Sequence, residues 1–153
     1  MTRQQFQDDT VKLRPKLLQV ALRYLRNSVE AEDVVQDVML KLWSMCDELK
    51  PPVDRLALVM VKNLCIDRIR SRRPRGSLDQ VAVVEDEDDE RLEAMMQAID
   101  ALPPMQQTIL RLRHEEGMAT EEIALLVGMT EVAVRKTLSR ARISVRDQLT
   151  KRR

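Results

Sequence analysis

Residues Thr120–Arg142 read TEEIALLVGMTEVAVRKTLSRAR, and their spacing predicts two helices joined by a tight turn. Thr120 is placed to cap a short helix with an acidic first turn, Glu121 and Glu122. Ile123, Ala124 and Val127 then recur on one side. Gly128 should end that helix, because glycine adopts the positive φ of a tight interhelical turn, and the small Ala124 permits close approach. Thr130 is placed to cap the next helix. There Val134, Leu138, Ala141 and Val145 form an apolar stripe and leave Arg135, Lys136, Ser139, Arg140 and Arg142 on other faces. From Glu131 to Arg153 eight basic residues stand against Glu131 and Asp147, a surplus of six positive charges that a nucleic-acid duplex would attract. A basic amphipathic helix alone fits a solvated surface equally well. The caps, Gly128 and the preceding short helix together favour a helix-turn-helix that meets DNA.

Outward from this segment, composition points to an all-α chain. Three glycines, 2% aromatic and 33% charged residues in 153 leave few strand formers. The formal net charge is only +1, so the segregation of charge along the chain matters more than its sum. Charged residues interrupt every apolar stretch, which predicts no membrane insertion and a cytoplasmic setting. Cys46 and Cys65 fall in predicted helices without CxxC spacing and are expected to be buried free thiols. His114 is the one histidine, so a multi-histidine metal site is excluded, and its neighbours Glu115 and Glu116 suggest exposure. No catalytic constellation is visible; neither enzyme activity, metal nor cofactor is expected.

Pro74, Gly76 and Ser77 close the first helical block, and EDEDDE, Glu85–Glu90, follows before helical periodicity resumes near Leu92. Adjacent carboxylates repel and resist burial, so this reads as a solvated, flexible linker. Residues 76 to 90 would reach about 50 Å at about 3.5 Å per residue. The expected division is two small helical domains, 1–75 and 92–153, joined by an acidic linker at 76–91. In the second, short helices over Glu93–Leu102 and Pro104–His114, the latter closed by Gly117, precede the helix-turn-helix.

The first block predicts three long helices, roughly Gln4–Arg26, Val29–Met45 and Val53–Arg72. In the second, Val34, Val35, Val38, Met39 and Leu42 form the buried stripe, and Asn27 with Glu30 suits a capping box. Its other face carries Glu32, Asp33, Gln36, Asp37 and Lys41, which suits a basic protein partner better than phosphate, or else plain solvent. The third helix ends in KNLCIDRIRSRRPR, with Arg68, Arg70, Arg72, Arg73 and Arg75 close together and Asn63 and Asp67 one i, i+4 step apart. That patch fits a phosphate-binding end or an acidic-protein dock, and the Asn63 amide adds the capacity to read a base edge.

Taken together these segments resemble the extracytoplasmic-function class of bacterial RNA polymerase sigma factors, in order and spacing over nearly the whole chain. AEDVVQDVMLKLW, Ala31–Trp43, is similar to the helix that docks on the β′ coiled coil of core polymerase; KNLCIDRIRSRR, Lys62–Arg73, resembles the segment that reads and helps open the −10 element. The stretch from Ala101 through Arg142 resembles the domain that binds the −35 element and meets the β flap. The resemblance implies that Asp33, Gln36, Asp37 and Leu40 face core polymerase. It implies that Asn63 contacts an extruded −10 base beside Asp67, and that Arg68, Arg70, Arg72 and Arg73 hold backbone. Arg135, Lys136, Ser139 and Arg140 would face the −35 major groove, with Thr130 and Val132 near its edge. An anti-sigma factor is a further partner common in the class. The chain departs from the pattern at Leu56, where an aromatic is common, and at Lys136 and Thr137, where a small and a basic residue are common. Base capture without a stacking ring would lean on polar contacts and on the polymerase. The acidic run would lie toward the RNA exit path, where it either mimics RNA or serves as a spacer.

Two other functions fit parts of the sequence. A stand-alone helix-turn-helix regulator would bind a duplex palindrome and dispense with the acidic face. A protein-binding adaptor that sequesters a transcription factor would use the basic tail on acidic protein and show no steeply salt-dependent, sequence-specific DNA binding.

Overall fold

The computed structural model describes residues 1–72 and 86–151. Among them are seven α-helices, α1 (Arg3–Leu25), α2 (Ser28–Ser44), α3 (Asp54–Ser71), α4 (Asp86–Asp100), α5 (Pro104–His114), α6 (Thr120–Val127) and α7 (Glu131–Lys151), plus a 3-10 turn at Cys46–Glu48. The all-α expectation holds. Two compact units form: Met1–Arg73 with Ala124–Met129, and Pro74–Ile123 with Thr130–Arg153.

In the first unit α1, α2 and α3 pack mutually. Leu13, Leu17, Ala21 and Leu25 recur every four residues on α1 and are buried, as are Val34, Val35, Val38 and Leu42 on α2 and Leu56, Ala57, Val61 and Cys65 on α3. Burying a leucine or valine of this kind contributes about 1.5–3 kcal/mol, so these stripes dominate the bundle's stability. α1 is capped by a full box: the Gln5 amide donates to Thr2 Oγ1 and the Thr2 amide to Gln5 Oε1. The box expected at Asn27 is only half present. Asn27 Oδ1 accepts from the Val29 and Glu30 amides at 3.0 and 3.2 Å, but the Glu30 carboxylate turns to Arg72. Pro15 sits inside α1 on its exposed side, where water can reach the Val11 carbonyl that loses its amide partner. Cys65 is in α3 as expected, whereas Cys46 falls in the 3-10 turn rather than a helix; both are buried free thiols.

In the second unit α7 packs on α4 and α5. The end of α4 is pinned to α5 through Asp100, whose Oδ1 accepts from Gln107 at 3.1 Å and Arg111 at 2.9 Å. Gly117, at φ +65°, lets the Met118 amide return to the Leu112 carbonyl after α5. α4 begins at Asp86, inside the acidic run and not near Leu92 as its periodicity suggested. The remainder of the expected linker, with Arg73, Arg75, Arg152 and Arg153, lies outside the described residues.

Candidate functional site

On α2 the buried stripe leaves an outer face on which Asp33, Gln36, Leu40 and Trp43 follow one another at helical spacing, all exposed. Leu40 is 57% exposed and Trp43 36%. A large apolar pair left in solvent amid acidic groups is the composition of a protein-docking surface, since aromatic and leucine anchors supply contact area and the carboxylates orientation. Trp43 is held in place: its ring lies 5.5 Å from that of Phe6, and the Arg3 guanidinium sits 5.1 Å from its centroid. Trp43 and the exposed Val29 extend the face expected from Asp33, Gln36, Asp37 and Leu40. Their signal was the position of a bulky apolar residue off the buried stripe.

The basic end of α3 divides in two. Ala57, Val61 and Cys65 form a buried stripe, and Arg68 and Arg72 continue it at i+3 and i+7 from Cys65, so both point toward α2. Arg68 Nη2 donates to Asp33 Oδ2 at 2.6 Å and to Asp37 Oδ2 at 3.1 Å, and Arg72 pairs with Glu30. Asn63, Asp67 and Arg70 fall about half a turn away on the outer face. Arg70 is exposed and Asn63 and Asp67 are half-buried. The structure thus sets Arg68 and Arg72, expected with Arg70 along a nucleic-acid backbone, apart from Arg70, with their cationic ends beside carboxylates of α2. A run of arginines read as one patch conceals that a helix sends alternate members to opposite sides. Leu56, the position where an aromatic is common, is 1% exposed, so it is a core residue and presents no surface to a base. Burial pushes the Cys65 thiol above its ordinary range, with Arg68 opposing the shift in part.

Around the turn, Gly128 has φ +74° and its amide, like that of Met129, returns to the Ala124 carbonyl at 2.9 and 3.0 Å. Thr130 Oγ1 accepts from the Ala133 amide at 3.1 Å and caps α7 as expected. Thr120, by contrast, is the first residue within α6, and its hydroxyl donates to Glu131 Oε1 at 3.1 Å. That bond ties the start of α6 to the start of α7, a pairing that local cap rules do not encode. Val134, Leu138 and Ala141 are buried and Val145 half-buried; Arg135, Lys136, Ser139 and Arg140 are exposed, with Thr130 and Val132 exposed at the helix start. Arg135 also pairs with Glu131 one turn back. Thr137 is half-buried, its hydroxyl donating to the Ala133 carbonyl at 2.8 Å, so it lies off this basic face.

The same unit carries a groove of about 610 Å³ between α4, α5 and α7, floored by Ile99, Leu110, Val145 and Leu149 and edged by Arg111, His114, Arg142 and Arg146. His114 Nε2 lies 3.3 Å from Arg142 Nη2. Partial desolvation, then the charges of Arg142 and Arg113, hold its imidazole below the usual histidine range. Among the described residues no helix is long and apolar enough to cross a membrane.

Comparison with known proteins agrees with this layout. The Sigma-70 region 2 family matches residues 11–75, and the Sigma-70, region 4 family matches residues 92–145. A probable RNA polymerase sigma factor RfaY of Xanthomonas campestris is 32% identical, over 87% of this chain and 37% of that protein, so the chain spans little more than a third of this relative. The RNA polymerase sigma-E factor of Streptomyces avermitilis is 28% identical over 89% of this chain and 80% of its own. The ECF RNA polymerase sigma factor SigL of Mycobacterium tuberculosis is 28% identical over 80% and 76%. The solved sigma factor RpoE, in complex with the anti-sigma factor NepR from Bartonella quintana, aligns over 97% of this chain and 99% of its own, with a TM-score of 0.42 and 19% identity. With both regions matched in order on one chain, this protein belongs to the sigma-70 family of RNA polymerase sigma factors, in its extracytoplasmic-function class.

Proposed function

We propose that the chain is an alternative sigma factor that binds core RNA polymerase in the cytoplasm and directs promoter recognition and transcription initiation, with domains at 1–75 and 92–153 joined through 76–91. The observation that carries this reading is the separation of two unlike surfaces on one chain: an acidic face with exposed Leu40 and Trp43 on α2, and a basic, capped helix in a helix-turn-helix at α7. Asp33, Gln36, Asp37, Leu40 and Trp43 serve as the dock for the β′ coiled coil. Asn63, Asp67 and Arg70 receive the −10 strand, the amide reading a base edge and the guanidinium holding phosphate. Thr130, Val132, Arg135, Lys136, Ser139 and Arg140 meet the −35 duplex, where each good base contact discriminates by about 1–3 kcal/mol. The apolar groove beside His114 suits the β flap. Core polymerase performs the chemistry; this chain holds unpaired bases and so shifts an existing closed-to-open equilibrium. Restraint by an anti-sigma factor would act by covering one of these faces.

Run-off transcription with purified core polymerase on a randomised promoter library, with and without the chain, tests the reading. Transcripts that need the chain and share two short motifs at a fixed separation are expected. No chain-dependent transcript from active core would overturn it.

A further inference from the structure

The acidic dock and the −10 segment meet at Arg68, and that residue belongs by sequence to one and by contact to the other. Its Nη2 carries two hydrogens and gives one to each of Asp33 and Asp37, which sit one turn apart on α2. The guanidinium side chain is 28% exposed, whereas Asp33 and Asp37 are 58% and 49% exposed. The cation is thus the inner member of the cluster. The carboxylates are the outer members, each engaged through Oδ2 alone in these pairs. Two carboxylates at i, i+4 repel one another, and without a shared donor each would rotate freely in solvent. With Arg68 between them, both are turned into one arrangement, and Asp33 and Arg68 line a shallow hollow with Gln36, Val29 and Arg14. Both Nη2 hydrogens of this guanidinium are committed to carboxylates, and a phosphate approaching its remaining N–H groups would come beside two negative charges, while Arg70, half a turn away, is exposed.

We infer that Arg68 is a positioning residue of the polymerase-docking face, not a contact to the −10 strand: it orders the Asp33 and Asp37 carboxylates for a basic partner. The inference rests on the sigma reading and deepens it. Ordering a side chain before association removes a cost that binding otherwise bears, so loss of Arg68 weakens core binding despite making the face more acidic. Screening at physiological salt confines the added long-range attraction to about 8 Å.

The test uses the full chain, purified core polymerase and a forked promoter duplex with an unpaired −10 strand. R68Q is expected to raise the Kd for core about fivefold. At saturating core it should leave the slope of log affinity for the fork against log salt unchanged. R70Q provides the reference for a lost phosphate contact, which lowers that slope by roughly 0.7–0.9. In a D33N/D37N background R68Q should add nothing further to the loss of core binding. A slope that falls in R68Q as it does in R70Q, or an unaltered core Kd, would overturn the inference. So would a loss that persists in the D33N/D37N background, because damage to the fold does not depend on those two carboxylates. If the wild-type chain fails to bind core, the sigma reading falls and the inference with it; in every other outcome that reading stands.

Discussion

Leu40 and Leu42 are two residues apart on α2 and do opposite work. Leu42 is fully buried and Leu40 is 57% exposed, so truncation of each reports on a different free energy. Leu42→Ala should cost about 2–5 kcal/mol of stability, read by denaturant unfolding, because it leaves a cavity in the bundle. Leu40→Ala should leave that midpoint in place and weaken core binding about tenfold, read by competition with the wild-type chain. Equal loss of stability in both variants would mean that Leu40 packs on its own bundle. His114 makes a second residue-scale prediction. Its folded pKa lies below its ordinary 6.5 because of desolvation and the Arg142 and Arg113 charges, so between the two values the unfolded chain binds the extra proton. Stability is therefore fully present above about 6.5 and declines as pH falls through the folded value. His114→Gln should flatten that part of the stability–pH curve, by a small amount since the ring is mostly exposed. Residue identities gave these positions away unevenly. An exposed leucine off the stripe is legible in sequence, whereas the engagement of Arg68 by α2 depends on a tertiary approach that no local pattern contains.

At the scale of elements, periodicity made α2, α3 and α5 readable to within a residue or two and placed the start of α7, because each has a continuous apolar stripe that begins at a cap or a proline. α4 shows where that signal stops: its first turn has no apolar member, so periodicity alone does not place its start. The turn before α7 was legible for a different reason, the demand for positive φ. Gly128 at +74° makes Gly128→Ala strained in the folded state alone, and a loss of about 1–2 kcal/mol is expected by chemical denaturation. Thr130→Ala should remove the Ala133 amide's partner and cost about 1 kcal/mol. If both variants kept wild-type stability yet lost −35 binding, the turn would be serving recognition and not folding. If both lost stability and regained −35 binding on cooling, the reverse would hold.

Across the whole molecule the dominant physical fact is charge that is strong locally and nearly cancels in sum. Eight basic residues follow Glu131, six carboxylates stand at Glu85–Glu90, and the formal net charge is +1. Free of polymerase, such a chain approaches DNA with its attraction largely offset, so its affinity for promoter duplex should fall in the range of non-specific binding, about 10⁻⁴–10⁻⁶ M at physiological salt. Converting Glu85, Asp86, Glu87, Asp88, Asp89 and Glu90 to their amides raises the formal charge to +7 and should tighten duplex binding by the free chain at low ionic strength. The gain should shrink as salt rises, since the Debye length falls from about 30 Å at 0.01 M to about 8 Å at 0.15 M and the run then acts only over short distances. Anisotropy titrations of a labelled promoter duplex over that salt range measure both effects. An unchanged affinity at 0.01 M would mean that the acidic run does not oppose DNA approach, and the same variant's yields of abortive and full-length RNA in holoenzyme would then report on the RNA-mimic role alone. Tight, specific binding by the unmodified free chain at 0.15 M would show instead that α7 and its turn outweigh the carboxylates without help from core.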